Sequence, residues 1–284
     1  MKYGVNMFPT DYSVDAVTLG KACEDRGFDS IWFPEHTHIP ASRKTPWPGG
    51  ADLPKEYWHT LDPFVGLSAV AATTDRIKLG TGICLVVERD PITLAKEVAS
   101  LDHLSNGRVL FGVGGGWNRE EMEDHGTDPK RRWKVMRERI EAMKQIWTED
   151  ESEYHGEFVD FDPLWSWPKP VQKPHPPVYV GGDAKGTFKR VVSYGDVWMP
   201  IGILLRDSIK EKMAKLNSMA ADAGRGPIPV TIYGVAPRPE AIDSYIEAGV
   251  ESCVFGMPPV GEEQALSMLD GFVQVMETVA KAGV

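Results

Sequence analysis

Cysteine, cationic charge and long apolar runs are all scarce in this sequence, and each scarcity removes a class of protein. Only three cysteines occur, Cys23, Cys84 and Cys253, an odd number far apart in apolar or helical contexts with no CxxC spacing. They read as reduced core residues of a cytoplasmic protein, not as a disulfide framework or a thiolate metal site. Lys and Arg number 31 against 41 Asp and Glu, a net charge of -10, with a pI near 5.2. With no basic face to offset that deficit, nucleic acid and anionic membrane surfaces are not expected as partners. No stretch approaches the ~20 apolar residues of a membrane-spanning helix. The opening Met1-Lys2-Tyr3-Gly4-Val5-Asn6 runs straight into a strand-like segment without the apolar core of a secretory signal. A cytoplasmic location with no membrane contact is the expectation.

What is present is an alternation of short apolar runs with longer amphipathic segments. Hydrophobic residues at 42% and charged residues at 25% suit a globular chain that buries a sizeable core, which removes disordered and low-complexity classes. Strands are expected over residues 3–8, 30–33, 77–86 and 109–113. Helices are expected over 13–26, 62–74 and 91–105, the last two capped by Asp62-Pro63 and Asp90-Pro91. A long helix over 131–148 carries Trp133, Met136, Ile140, Met143 and Trp147 on one stripe. The rhythm resumes with strands over 177–180, 197–199, 230–235 and 252–255, and helices over 187–193, 207–223, 240–248 and 262–280.

Eight βα units with no linker-like break predict one α/β domain over 1–284, a (β/α)8 TIM barrel. A doubly wound open sheet is the alternative, but its glycine fingerprint belongs after the first strand, where this chain has Pro9-Thr10-Asp11. Two segments exceed a minimal barrel. Residues 37–60, a long loop after strand 2, are rich in Pro, Gly and aromatics and are expected to form a lid. Residues 154–176, before strand 5, read as an insertion that packs through its aromatics.

Chemistry is expected where strands end. Gly112-Val113-Gly114-Gly115-Gly116-Trp117 closes the fourth strand, and Val178-Tyr179-Val180-Gly181-Gly182-Asp183 the fifth, each ahead of a helix. Glycine lets backbone approach a ligand, and a helix N-terminus offers free N–H groups to an anion, so the pair suggests a phosphate site. The alternative is a glycine-rich barrel corner. After the second strand, Glu35-His36-Thr37-His38 offers a general base or proton donor at His36. A His-x-His metal site would need further ligands, and His59, His103, His125, His155 and His175 supply none at obvious spacing, so no metal is expected. His38 reads as structural. Gly82 inside Thr81-Gly82-Ile83-Cys84 marks a bulge or a close approach. Of Trp32, Trp58, Trp117 and Trp198, Trp117 is the one expected to line a site.

Several of these segments together carry a resemblance. Trp32-Phe33-Pro34-Glu35-His36, Leu79-Gly80-Thr81-Gly82-Ile83, Arg89-Asp90-Pro91 with 96–102, Ser105-Asn106-Gly107-Arg108, 112–117 with Glu120-Glu121, His155-Gly156-Glu157-Phe158, Pro168-Lys169-Pro170-Val171-Gln172 and 177–182 resemble the bacterial luciferase-like oxidoreductases, in order and over nearly the whole chain. Within them the sequence is most similar to the actinobacterial branch that uses the deazaflavin coenzyme F420, with the FMN-dependent monooxygenases as the alternative.

The resemblance implies a non-prolyl cis peptide at Gly82-Ile83 backing the ring. It implies a phosphate site at Gly181, Gly182 and Asp183 with Gly115, Gly116 and Trp117 alongside. His36 would be the proton-transferring residue, with Glu35 orienting it. It further implies a small organic substrate and a homodimer. Relatives that oxidise sugar phosphates have a carboxylate where this chain has Trp117, which argues against that substrate class. A non-catalytic flavin-binding barrel and a metal-dependent hydrolase are the readings from other classes. An acidic chain that takes an anionic cofactor is expected to hold it through backbone N–H groups at the glycine turns.

Overall fold

The computed structural model describes residues 1–50, 52–202, 205 and 208–282. In chain order the elements are β1 Lys2–Asn6, α1 Ala16–Asp25, β2 Ser30–Phe33, α2 Glu56–His59, α3 Pro63–Ala71, β3 Lys78–Thr81, β4 Cys84–Leu85 and a 3-10 turn Val86–Glu88. There follow α4 Pro91–Leu104, β5 Val109–Gly114, α5 Arg119–Asp124, α6 Arg132–Thr148, β6 Ser152–His155, β7 Asp160–Leu164 and β8 Val178–Gly181. The chain continues with α7 Thr187–Tyr194, β9 Val197–Met199, α8 Ile209–Asp222, β10 Thr231–Val235, α9 Pro239–Glu247, β11 Ser252–Gly256 and α10 Glu262–Ala282. The start expected for α8 at Asp207 lies outside the described residues.

Parallel strands run in the order β10-β11-β1-β2-β3-β5-β8-β9. Parallel bridges from Trp198 to Val230 and from Ile201 to Tyr233 bring β9 against β10, giving the nearly closed barrel of 8 strands that the alternation predicts. The caps form as expected: Asp62 accepts from the N–H groups of Phe64 and Val65, and Asp90 from that of Thr93. Each precedes a proline that needs no N–H partner, so the starts of α3 and α4 are fixed locally. No helix among the described residues is long and apolar enough to cross a membrane. All three cysteines are buried and free.

Trp32, Met199 and Val254 pack with Ile83, Leu110, Tyr179 and Tyr233 in one cluster, while the larger cluster lies between strands and helices. Trp32 explains a glycine: a Cβ at Gly80 would meet its ring at 2.2 Å. The expected third strand is broken. Thr81 ends β3, the peptide Gly82-Ile83 is cis, and β4 resumes beside β5 with Cys84 opposite Val113.

The insertion before the fifth barrel strand, β8, contains an antiparallel hairpin, β6 with β7, that strand alternation in the sequence did not reveal. Its packing is partly the expected one: Phe158 and Phe161 pack against the main core, while Trp165 and Trp167 are exposed. Polar anchors add to this, with Lys169 Nζ donating to the Ile146 carbonyl at 2.7 Å and Gln172 Nε2 to Asp102 and the Val109 carbonyl. The described residues of 37–60 form a long segment after β2 that contains α2. They are tied to the loop after β1 by a Thr10–Thr60 bridge and a His59–Asp11 contact of 2.8 Å.

Candidate active site

At the C-terminal end of β2, His36 sits inside a closed ring of partners. Its Nδ1 lies 2.8 and 3.0 Å from the two carboxylate oxygens of Glu121, and Trp117 Nε1 donates to its Nε2 at 3.3 Å. A carboxylate only accepts and an indole N–H only donates, so the neutral tautomer with the proton on Nδ1 satisfies both contacts. Both side chains of the pair are almost fully shielded, at 6% and 1% exposure for His36 and Glu121. Asn118 caps α5 by accepting from the Glu121 N–H, which orients the carboxylate from its own backbone.

Glu35 does not orient His36. Its buried carboxylate turns to the other side of the strand end, accepting from the Leu85 N–H at 2.6 Å and from Arg89 Nε at 2.6 Å. Arg89 also reaches Glu97 at 2.9 Å and Asp62. This network fastens β4 and the 3-10 turn to β2 and so fixes the segment that follows the cis peptide. Glu121 was missed because the pairing crosses 85 positions of sequence. The clue was an acidic residue in the first turn of the helix that follows a glycine-rich strand end.

The segment after β2 supplies the rest of the ring. Tyr57 packs against His36 with ring centroids 5.2 Å apart and against Trp117 at 6.2 Å, while Trp47 backs Tyr57 at 5.8 Å. Trp32 and Trp198 are buried and Trp58 is exposed, which leaves Trp117 as the one of the four singled-out tryptophans that touches His36. His38 points away to Asp124 at 2.9 Å.

The glycine-rich ends divide into two kinds. A Cβ at Gly112 would meet the Thr81 carbonyl at 1.9 Å, at Gly114 the Ile83 side chain at 1.8 Å, at Gly181 Ile83 again at 3.1 Å, and at Gly115 the Trp133 ring at 2.6 Å. These glycines make room for the broken strand and for Trp133, the barrel-corner reading. Gly116 and Gly182 have φ of 66° and 96°, and a Cβ at Gly182 would meet nothing within 4 Å, so that turn opens to free space. Asp183 is engaged by Lys212.

Between the two ends lies a cationic cluster that sequence reading missed. Arg132 at the start of α6 and Arg190 on α7 both lie over the Trp133 ring, at 4.9 and 3.8 Å from its centroid. Each has a buried Nε without a hydrogen-bond partner. Burial lowers both guanidinium pKa values; Arg119 adds to this at Arg132, while at Arg190 Tyr194 opposes it and Arg132 adds to it. Like charges gathered with free donors constitute a site complementary to an anion.

A last buried group is Glu88, 7% exposed, with neither carboxyl oxygen hydrogen-bonded among the described residues. Burial first, then the Glu121 and Glu35 carboxylates, push its pKa to about 9, so it is a neutral acid at pH 7. At the opposite end of the barrel, a cavity of about 400 Å³ lined by Lys2, Asp29, Lys78 and Glu251 faces away from all of these groups.

A family model described as luciferase-like monooxygenase matches residues 9–251. The chain belongs to the luciferase-like monooxygenase family. Among luciferase-like relatives, an uncharacterized protein of Mycobacterium tuberculosis is 44% identical over 278 residues, 95% of this chain and 96% of that protein. The oxygenase component of a flavin-dependent trigonelline monooxygenase from Acinetobacter baylyi is 35% identical over 207 residues, 72% of this chain and 53% of its own. The fold is shared with an F420-dependent secondary alcohol dehydrogenase solved with an F420-acetone adduct, at a TM-score of 0.74, 17% identity and coverage of 98% and 99%. A luciferase-like oxidoreductase therefore carries the site described above.

Proposed function

We propose that this luciferase-like protein is an F420-dependent oxidoreductase that exchanges a hydride between the deazaflavin and a small organic substrate. The observation that carries the reading is His36, held in one tautomer between Glu121 and Trp117 beneath an aromatic lid.

The residues present fit a phosphate-bearing cofactor. The unpartnered Nε atoms of Arg132 and Arg190 would take the phosphate beside the open Gly182 turn, and Gly115, Gly116, Gly181 and Asp183 would shape its surroundings. Gly82 and Ile83 would back the ring. Charge for the anion thus comes from two arginines as well as from backbone. When bound, the deazaflavin supplies two-electron hydride chemistry.

The protein's part is the proton. For a substrate hydroxyl being oxidised, His36 Nε2 accepts the O–H proton after Trp117 yields its long hydrogen bond. The imidazolium so formed keeps its Nδ1–H in hydrogen bond to Glu121, whose negative charge stabilises it. Glu35 acts at one remove, by fixing Arg89 and β4. The lid rings exclude water, which strengthens the His36–Glu121 attraction. The reading carries with it a homodimer, as the resemblance implies, and the cytoplasmic location expected from the reduced cysteines.

The 35% identity to a flavin-dependent monooxygenase supports a second reading, an FMN-dependent monooxygenase supplied by a partner reductase. Titrating purified protein with F420 and with FMN and following the absorbance of each decides between them. Saturable F420 binding is expected; tight FMN binding with none of F420 overturns the first reading. With F420 bound, His36→Ala is expected to lower kcat by about 100-fold or more while leaving the cofactor Kd within about twofold.

A further inference from the structure

The lid contributes a cation to the ring around His36. Arg43 has φ of 48°, the left-handed region that a residue with a Cβ occupies at a cost. That backbone turns its guanidinium inward, 5.9 Å from the Trp117 ring whose Nε1 bonds His36. Arg43 Nη1 is buried with no hydrogen-bond partner, and among the described residues no carboxylate forms an ion pair with Arg43. Glu120, across the same lid contact, is engaged by the Thr45 N–H at 3.2 Å. A guanidinium N–H removed from water with nothing to donate to is costly unless a ligand completes it.

We propose that Arg43 holds a carboxylate of the substrate, so that the substrate is a flat, apolar carboxylate whose body rests among Trp47, Tyr57 and Trp117. This rests on the reading of His36 as the redox-site proton carrier and names the substrate class for it. One planar guanidinium matches the single charge and two oxygens of a carboxylate. The cofactor's phosphate has its own cations in the paired Arg132 and Arg190. Trp117 beside Arg43, with Tyr57 and Trp47 in contact beyond it, offers aromatic surface that suits a flat hydrocarbon body. In a chain of net charge -10, an anionic substrate needs such a local cation.

The test uses cofactor-free protein with benzoate as probe and benzamide as its neutral counterpart, each titrated by calorimetry. Benzoate is expected to bind the wild type more tightly than benzamide. Arg43→Gln is expected to weaken benzoate about tenfold and leave benzamide within about twofold, and Arg43→Lys to recover part of the loss because it keeps charge without the fork. Benzoate binding no better than benzamide in the wild type, or unchanged in Arg43→Gln, overturns the proposal. So does an Arg43→Gln variant that weakens F420 while sparing the same deazaflavin without its phosphate and glutamate arm, because the anion would then belong to the cofactor. These titrations are read without turnover, so a failure of F420 binding in the wild type is seen separately as a failure of the functional reading.

Discussion

Arg108 below the barrel and Arg190 at its upper rim are both inward-turned arginines, and what separates them is whether their donors are used. Arg108 gives Nε to the Ser105 carbonyl, Nη1 to Thr74 Oγ1 and the Ile77 carbonyl, and Nη2 to the Ala71 and Thr74 carbonyls. It therefore satisfies carbonyls at the C-terminal ends of α3 and α4, where a cation is favoured by the helix dipole. Among the described residues Arg190 bonds Thr187 Oγ1 at 2.9 Å through Nη2, and its Nε is left over. The lower arginine is finished by the fold, and the upper one keeps a buried donor that the described residues leave unused. That division matches a barrel whose stability is concentrated at one face and whose chemistry lies at the other.

Removing each arginine tests the division. Arg108→Met strands several carbonyl acceptors at once and is expected to cost about 3–5 kcal/mol of unfolding free energy, measured by urea denaturation. Cofactor affinity in the surviving folded protein stays near wild type. Arg190→Met is expected to do the reverse. Stability stays within about 1 kcal/mol, while F420 affinity falls about 10- to 100-fold, the value of one or two charge-assisted bonds. The deazaflavin lacking its phosphate arm shows little change. If Arg190→Met destabilises the apo protein as much as Arg108→Met does, the two arginines are alike and the anion site is lost as an idea.

The same division governs what could be read from the sequence. Barrel order was legible because each βα unit carries its own signals, such as Asp90-Pro91 opening α4 and Gly107, with φ of 79°, closing it. The cis peptide at Gly82-Ile83 followed from resemblance, which transmits local motifs well, and His36 from its place at a strand end. Pairings between distant elements did not follow. Glu121 reaches His36, Glu35 turns to Arg89, and Arg132 and Arg190 meet over Trp133 only once the barrel closes. The glycines misled in an instructive way. Gly112 and Gly114 look like a ligand cradle in sequence, yet they are required by Thr81 and Ile83 of the neighbouring strand.

Carboxylates extend the comparison and give its smallest expected effect. Asp102, fully buried, accepts from the Gln172 N–H at 3.0 Å and from Gln172 Nε2 at 2.7 Å, whereas Glu88 behind the rim has no partner at either oxygen. With its pKa pushed from 4.5 to about 9 in the fold, Glu88 is protonated in the native state and ionised in the unfolded chain across that window. The native state binds more protons there, so this group lowers stability as pH rises through the window, with no effect well below 4.5 and the full effect near 9. Glu88→Gln keeps the shape and removes the titration. It is expected to leave stability unchanged at pH 4 and to raise it by about 1–2 kcal/mol at pH 8. Urea denaturation of both proteins at pH 4, 6 and 8 checks this. A difference between the two that does not grow with pH would mean that Glu88 is ionised in the native state, with a counter-charge satisfying it as fully as the carboxylates on the lower side of the barrel.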